Sequence, residues 1–187
     1  VDDDWQRCFI ALAPDAATRE TLSGLPSPPV ARRVPVDQLH LTVAFLGTIS
    51  ACKGGLLGYS LSSVAEALPV FRTERIEHWP GPAHPRLTVA VLAKSDALFA
   101  LAARIRAVLE ALELPMDDRA FRPHITLARF PRDASALCEL PVPVAGLSIR
   151  FDTLALYSST LARHGARYSE LASAALPDGE EGEAATG

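Results

Sequence analysis

FRPHITLARF, residues 121–130, sets an imidazole and a hydroxyl two residues apart inside an apolar run, between Arg122 and Arg129. Side chains alternate across a strand, so His124, Thr126 and Ala128 share one face while Ile125 and Leu127 take the other. A half-buried strand needs polar residues on its outer face, but not these two. The pattern occurs a second time, in LHLTVAFLG at residues 39–47, where His40 stands 84 residues before His124. There the alternation groups His40, Thr42 and Ala44 against Leu39, Leu41, Val43 and Phe45, which places Phe45 in the core rather than on a ligand-facing surface. A lone histidine in a strand is usually a hydrogen-bonded structural residue, and threonine is simply a good strand former. Sheet stability offers no reason to repeat His-x-Thr on the polar face, so the repetition is the informative feature.

Working outward, RCFIALAP (7–14) reads as a first strand, and Pro14 opens a short helix that ends at Gly24. A Pro-rich basic connection, LPSPPVARRVP (25–35), leads to the first His-x-Thr strand. The segment 49–68 has helical stretches but carries Gly54, Gly55 and Gly58, which weaken that assignment. Strands VFRTERIEHW (70–79) and RLTVAVLA (86–93) flank a loop, PGPAHP. From Ser95 to Leu114, the spacing of Leu98, Leu101, Ile105, Val108 and Leu112 is that of an amphipathic helix. Strands follow at 121–130, 146–159 and 166–176. Strands interspersed with a few helices and short connections predict an α+β fold built on antiparallel sheet. No glycine-rich phosphate loop is present, which excludes the usual dinucleotide-binding and nucleoside-triphosphatase designs.

The chain has 187 residues, 49% of them hydrophobic, enough for one domain with a buried core. No run approaches the roughly 18 apolar residues of a membrane helix, and no signal segment opens the chain, so a cytoplasmic protein is expected. Cys8, Cys52 and Cys138 lie far apart, without metal or redox spacing, and read as reduced thiols. The net charge is −4, but seven acids sit in the opening VDDD and the closing PDGEEGEAATG. Without them 18 basic residues face 15 acidic ones, a body of +3 that is compatible with a phosphate-bearing ligand. Residues 177–187 are expected to form an acidic disordered tail.

If the two motif strands lie side by side near a pseudo-twofold axis, their four polar groups converge on one cleft, and that cleft suits a phosphodiester. One neutral imidazole can take a proton from water while the other, protonated, gives one to the leaving oxygen. A second positive charge beside the first is disfavoured, so the pair tends to hold one proton in common. The threonine hydroxyls can donate to nonbridging phosphoryl oxygens. Such a scheme calls for no metal. His78, His84 and His164 show no ligand spacing and read as surface or loop residues; threonine is not a usual zinc ligand, which also weighs against a zinc centre on His40 and His124.

On these residues the chain resembles the 2H phosphoesterases, specifically the branch of LigT-like RNA 2',3'-cyclic phosphodiesterases. RRVPVDQLHLTVAFLG and FRPHITLARF are similar to that branch's two signatures, and RCFIAL, LPMDDRAFRPHITLAR and LYSSTLARHGARYSEL extend the likeness over nearly the whole folded chain. The resemblance implies a single bilobal α+β domain over 1–176, with two small antiparallel sheets facing across a central cleft and helices outside. It implies metal-independent hydrolysis of 2',3'-cyclic phosphates, on RNA ends or nucleotides, to 2'-phosphates, with 2',5' ligation as the reverse reaction. Carried over, His40 is the acid, His124 the base, and Thr42, Thr126 and Arg129 bind the phosphate; no cofactor is implied, and a monomer is expected. Arg129 has the wrong parity for this role under strict alternation, whereas Arg122 has the right one. Alternatives are a 2H enzyme for another small phosphodiester, such as a 2',5'-oligonucleotide or a cyclic ADP-ribose phosphate, and a non-catalytic module that binds RNA ends.

Overall fold

Alternating and continuous apolar runs become nine strands among the described residues, which are 4–134, 145–162 and 165–178 of a computed structural model. The expected acidic tail beyond Asp178, His164 and Cys138 lie outside those residues. One sheet has the order β3-β1-β8-β9, from β3 (Leu41–Ser50), β1 (Asp4–Pro14), β8 (Phe151–Ala162) and β9 (Gly165–Ala175). The other has the order β2-β6-β5-β4-β7, from β2 (Arg32–Arg33), β6 (His124–Arg129), β5 (Leu87–Leu92), β4 (Phe71–Trp79) and β7 (Ser148–Ile149). Every pairing is antiparallel. The two motif strands, β3 and β6, approach each other where the sheets meet. The α+β expectation therefore holds, with two antiparallel sheets and three helices among the described residues.

Helix α1 (Ala16–Ser23) starts two residues later than its sequence suggests. Pro14 closes β1, and Asp15 caps the helix by accepting from the Thr18 amide at 2.8 Å. Helix α3 (Asp96–Ala111) buries Leu98, Leu101, Ile105 and Leu109; Val108 and Leu112 pack only partly, so the buried stripe runs through Leu109 instead. One continuous cluster joins this stripe to Ile125 and Ala90 of the second sheet and to Ile10, Leu12 and Leu41 of the first. No described helix is long and apolar enough to cross a membrane.

Helix α2 (Ala51–Val64) forms despite its glycines, and packing gives the reason. A Cβ at Gly54 would stand 2.2 Å from the Trp5 indole, and one at Gly58 would stand 2.8 Å from Cβ of Ala172 in β9. These two glycines trade helix propensity for close approach to the sheet. Gly55 meets nothing within 4 Å. Opposite signs are therefore expected. Gly55→Ala should stabilise the protein by up to about 1 kcal/mol through propensity, whereas Gly54→Ala should destabilise it by about 1–3 kcal/mol through overpacking. Urea midpoints for the two variants check this; a stabilising Gly54→Ala would show that the indole yields freely.

Candidate active site

The two histidines enter the site by the same local construction. A turn of 3-10 helix at Val36–Gln38 precedes His40, whose Nδ1 lies 2.7 Å from the Gln38 carbonyl oxygen. In the second motif, Nδ1 of His124 lies 2.6 Å from the Arg122 carbonyl oxygen. A carbonyl can only accept, so each Nδ1 carries a proton and donates it to the residue two positions back. That leaves Nε2 of each imidazole as the atom available for proton transfer.

Both strands then break their alternation at the same place. Leu41 and Thr42 oppose Leu12 and Ala11, but Ile10 opposes Ala44, so Val43 is an extra residue in the ladder. In β6, Thr126 opposes Val89 while Thr88 opposes Ala128, so Leu127 is extra. Each is a β-bulge one residue after the motif threonine, and it reverses the facing of the residues that follow, in β3 as far as a second register shift at Leu46.

Two assignments change as a result. Phe45, placed in the core by strict alternation, instead opposes Phe9 on the same face as Thr42 and is 47% exposed, with the Arg119 guanidinium 5.3 Å above its ring. Arg129, whose parity had been wrong for the cleft, shares a face with His124 and Thr126. Its Nη2 lies 3.5 Å from the Tyr168 hydroxyl of the opposite sheet, and its charge bears on His40. Phe45 and Arg129 are thus pseudo-equivalent, each five residues after its histidine.

Aromatic rings that the motifs do not reveal wall in each imidazole. His40 lies between Phe9 and Tyr168, both with ring centroids at 5.1 Å. His124 lies against Trp79 at 4.4 Å, and the Arg122 guanidinium covers the Trp79 ring at 4.1 Å. The Trp79 indole donates to Glu77 at 2.6 Å, and Arg75 donates to the other carboxylate oxygen at 2.8 Å. Arg75, Glu77 and Trp79 are alternate residues of β4, so this row was available as a period-two pattern; its proximity to His124 was not.

Burial lowers the proton affinity of both histidines. His40 falls to about 4, chiefly by desolvation, with the positive charges of Arg129, His124 and Arg19 adding to the effect and the Gln38 carbonyl opposing it. His124 is lowered by desolvation, opposed by the Arg122 carbonyl and helped by the Arg122 charge. Both imidazoles are therefore neutral at pH 7 in the unliganded protein.

His78 is not a surface residue, as its spacing had suggested. It is 7% exposed on β4, where Nδ1 meets the Thr88 hydroxyl at 3.1 Å and the ring stands edge-on to Phe130 at 5.3 Å. Strand pairing puts it on the face opposite Trp79, which sheet packing buries. His84 is exposed in the loop between β4 and β5, as expected. Cys8 is buried, which pushes its thiol up to about 11, and Cys52 is exposed.

The α+β frame and the duplicated histidine and threonine motifs define a phosphoesterase of the two-histidine class. The family described as LigT like Phosphoesterase matches residues 91–168. The chain is 32% identical over 173 residues to the RNA 2',3'-cyclic phosphodiesterase of Escherichia coli, spanning 89% of this chain and 94% of that protein. It is 35% identical over 129 residues to the protein of the same name from Thermus thermophilus, spanning 62% of this chain and 64% of that one. Among solved structures, E. coli LigT complexed with 3'-AMP superposes with a TM-score of 0.72 at 30% identity, covering 92% of this chain and 98% of that one. The chain belongs to the LigT-like phosphoesterase family.

Proposed function

We propose that this protein hydrolyses the 2',3'-cyclic phosphate of RNA ends or nucleotides to a 2'-phosphate. One observation carries the reading: two imidazoles, each held at Nδ1 by the carbonyl two residues back, present their Nε2 atoms from adjoining strands beside a motif threonine. In the reaction a water oxygen attacks phosphorus and the bond to the 3'-oxygen breaks. Nε2 of His124 takes the water's proton, and the protonated Nε2 of His40 gives its own to the departing 3'-oxygen. Thr42 and Thr126 donate to the nonbridging oxygens, and Arg129 neutralises the charge they gather. One chain supplies both motifs, so no second copy is needed, which fits a monomeric enzyme.

Substrate charge and histidine protonation are coupled in this scheme. Desolvation, with a smaller contribution from the Arg129 charge, lowers the proton affinity of His40 in the unliganded site, and the negative charge of a bound substrate acts in the opposite direction, favouring the protonated imidazole. Binding is then linked to proton uptake, because the bound form has a higher histidine pKa than the free form. As pH rises through the lowered free-site value of His40, the acid, kcat/KM should fall, beginning below the ordinary histidine value of about 6.5. The fall in kcat should begin at higher pH. Coincident limbs for the two parameters would refute the coupling.

The function itself is tested by supplying nucleoside 2',3'-cyclic phosphates with EDTA present and identifying the product. Release of the 2'-phosphate with EDTA present is expected. A 3'-phosphate product would reverse the assignment of the leaving oxygen, and binding without turnover would favour a module that recognises RNA ends.

A further inference from the structure

The two imidazoles share one construction at Nδ1 but stand against different rings. His40 lies between Phe9 and Tyr168, whereas His124 lies against the indole of Trp79, with ring centroids 4.4 Å apart. That indole is tied down. Its Nε1 donates to Oε1 of Glu77 at 2.6 Å, and Oε2 of Glu77 accepts from Nε of Arg75 at 2.8 Å. Burial opposes the charge on Glu77, but the bonds from Trp79 and Arg75, with the charges of Arg75 and Arg122, outweigh it and lower the carboxyl from its ordinary value. Glu77 is therefore an anion in the neutral range, and the indole N–H is held by a full negative charge.

That contact alters what the ring offers His124. An N–H bonded to an anion leaves more electron density in the indole, and the face of an electron-rich ring attracts a cation. His124 becomes such a cation when Nε2 takes the water's proton. The charges around it work against that step. Arg122 lies 4.1 Å from the Trp79 ring centre, and its charge lowers the proton affinity of His124. Arg129 shares the strand face of His124, and His40 is close enough for two imidazolium charges to oppose each other. Arg106 and the Asp117–Arg119 pair line the adjoining cavity, while Arg75 is paired with Glu77 and Glu74. Trp79 is the surface that favours the imidazolium, and Glu77 strengthens it.

We infer that Glu77 is a positioning residue for the base: through the Trp79 indole it stabilises the protonated His124 that forms as water attacks. The inference rests on the cyclic-phosphodiesterase reading. It goes beyond that reading in assigning a residue of β4, outside both motifs, that sets the strength of the base.

Glu77→Gln keeps the shape of the side chain and an acceptor for the indole but removes the charge. Followed by NMR of the imidazole protons in the unliganded protein, His124 should titrate at lower pH in this variant than in the wild type. On a nucleoside 2',3'-cyclic phosphate at neutral pH, kcat should fall by about three- to tenfold. KM should stay within about twofold, since Glu77 acts on the proton acceptor and not on the bound anion. Trp79→Phe keeps a ring but has no N–H; it should shift His124 in the same direction, and adding Glu77→Gln to it should do little more. An unshifted or raised His124, a loss confined to KM, or the same Glu77→Gln shift in both backgrounds would overturn the inference. A wild type that turns over no cyclic phosphate would instead remove the functional reading, while the titration would still decide whether Glu77 acts on His124 through the indole.

Discussion

Alanine at His40 or at His124 is expected to lower kcat on a nucleoside 2',3'-cyclic phosphate by about 10²- to 10⁴-fold, the range one acid or base contributes. Each imidazole is held by a single strong contact at Nδ1, to Gln38 or to Arg122, and each faces the cleft with the other nitrogen. In the proposed mechanism the two groups act in one concerted transfer, so their losses should not add: the double variant should be little worse than the less active single one. Neither ring belongs to the fully buried core, so circular dichroism and the urea midpoint should show a folded protein in both cases. Activity within about threefold of wild type in either variant would dispose of the two-histidine mechanism.

Thr42→Val and Thr126→Val should each reduce kcat by about 10²- to 10³-fold, with a smaller effect on KM. Valine keeps the shape of threonine and its place in the strand, so the variant removes a hydroxyl and little else. Thr42 lines the same cavity as His124, and Thr126 stands two residues after His124 on the shared face, opposite Val89. A hydroxyl aimed at a phosphoryl oxygen contributes most when that oxygen gains charge, which is why the loss belongs in kcat. The serine variants retain the donor and should stay within several-fold of wild type. If the valine variants raised KM with kcat unchanged, the hydroxyls would be binding substrate and transition state alike.

Phe45, Arg129 and His78 mark where strand periodicity stops being a guide. Alternation is a local rule, and it assigned Phe45 to the core and Arg129 away from the cleft. A bulge reverses both, yet Val43 and Leu127 look like any aliphatic strand residue. Whether a residue is skipped depends on hydrogen bonds to β1 or β5, partners distant in sequence. His78 escaped for the same kind of reason: its strand has polar residues on both faces, and only pairing with β5 shows which face is covered. The glycines of α2 weakened a helix assignment that contact with Trp5 and Ala172 explains.

What the sequence by itself determined is the chemistry: two imidazoles and two hydroxyls, duplicated at equal spacing on strands of like pattern, in an α+β chain. Those groups are specified by residue type and by intervals of two, which short-range geometry preserves. The tertiary structure decided which further side chains surround them. Matched bulges turn Arg129 and Phe45 onto the face of the motif threonines, Trp79 and Phe9 close around the histidines, and burial lowers the proton affinity of both rings. Each of these depends on register and desolvation between distant segments, which no local pattern encodes.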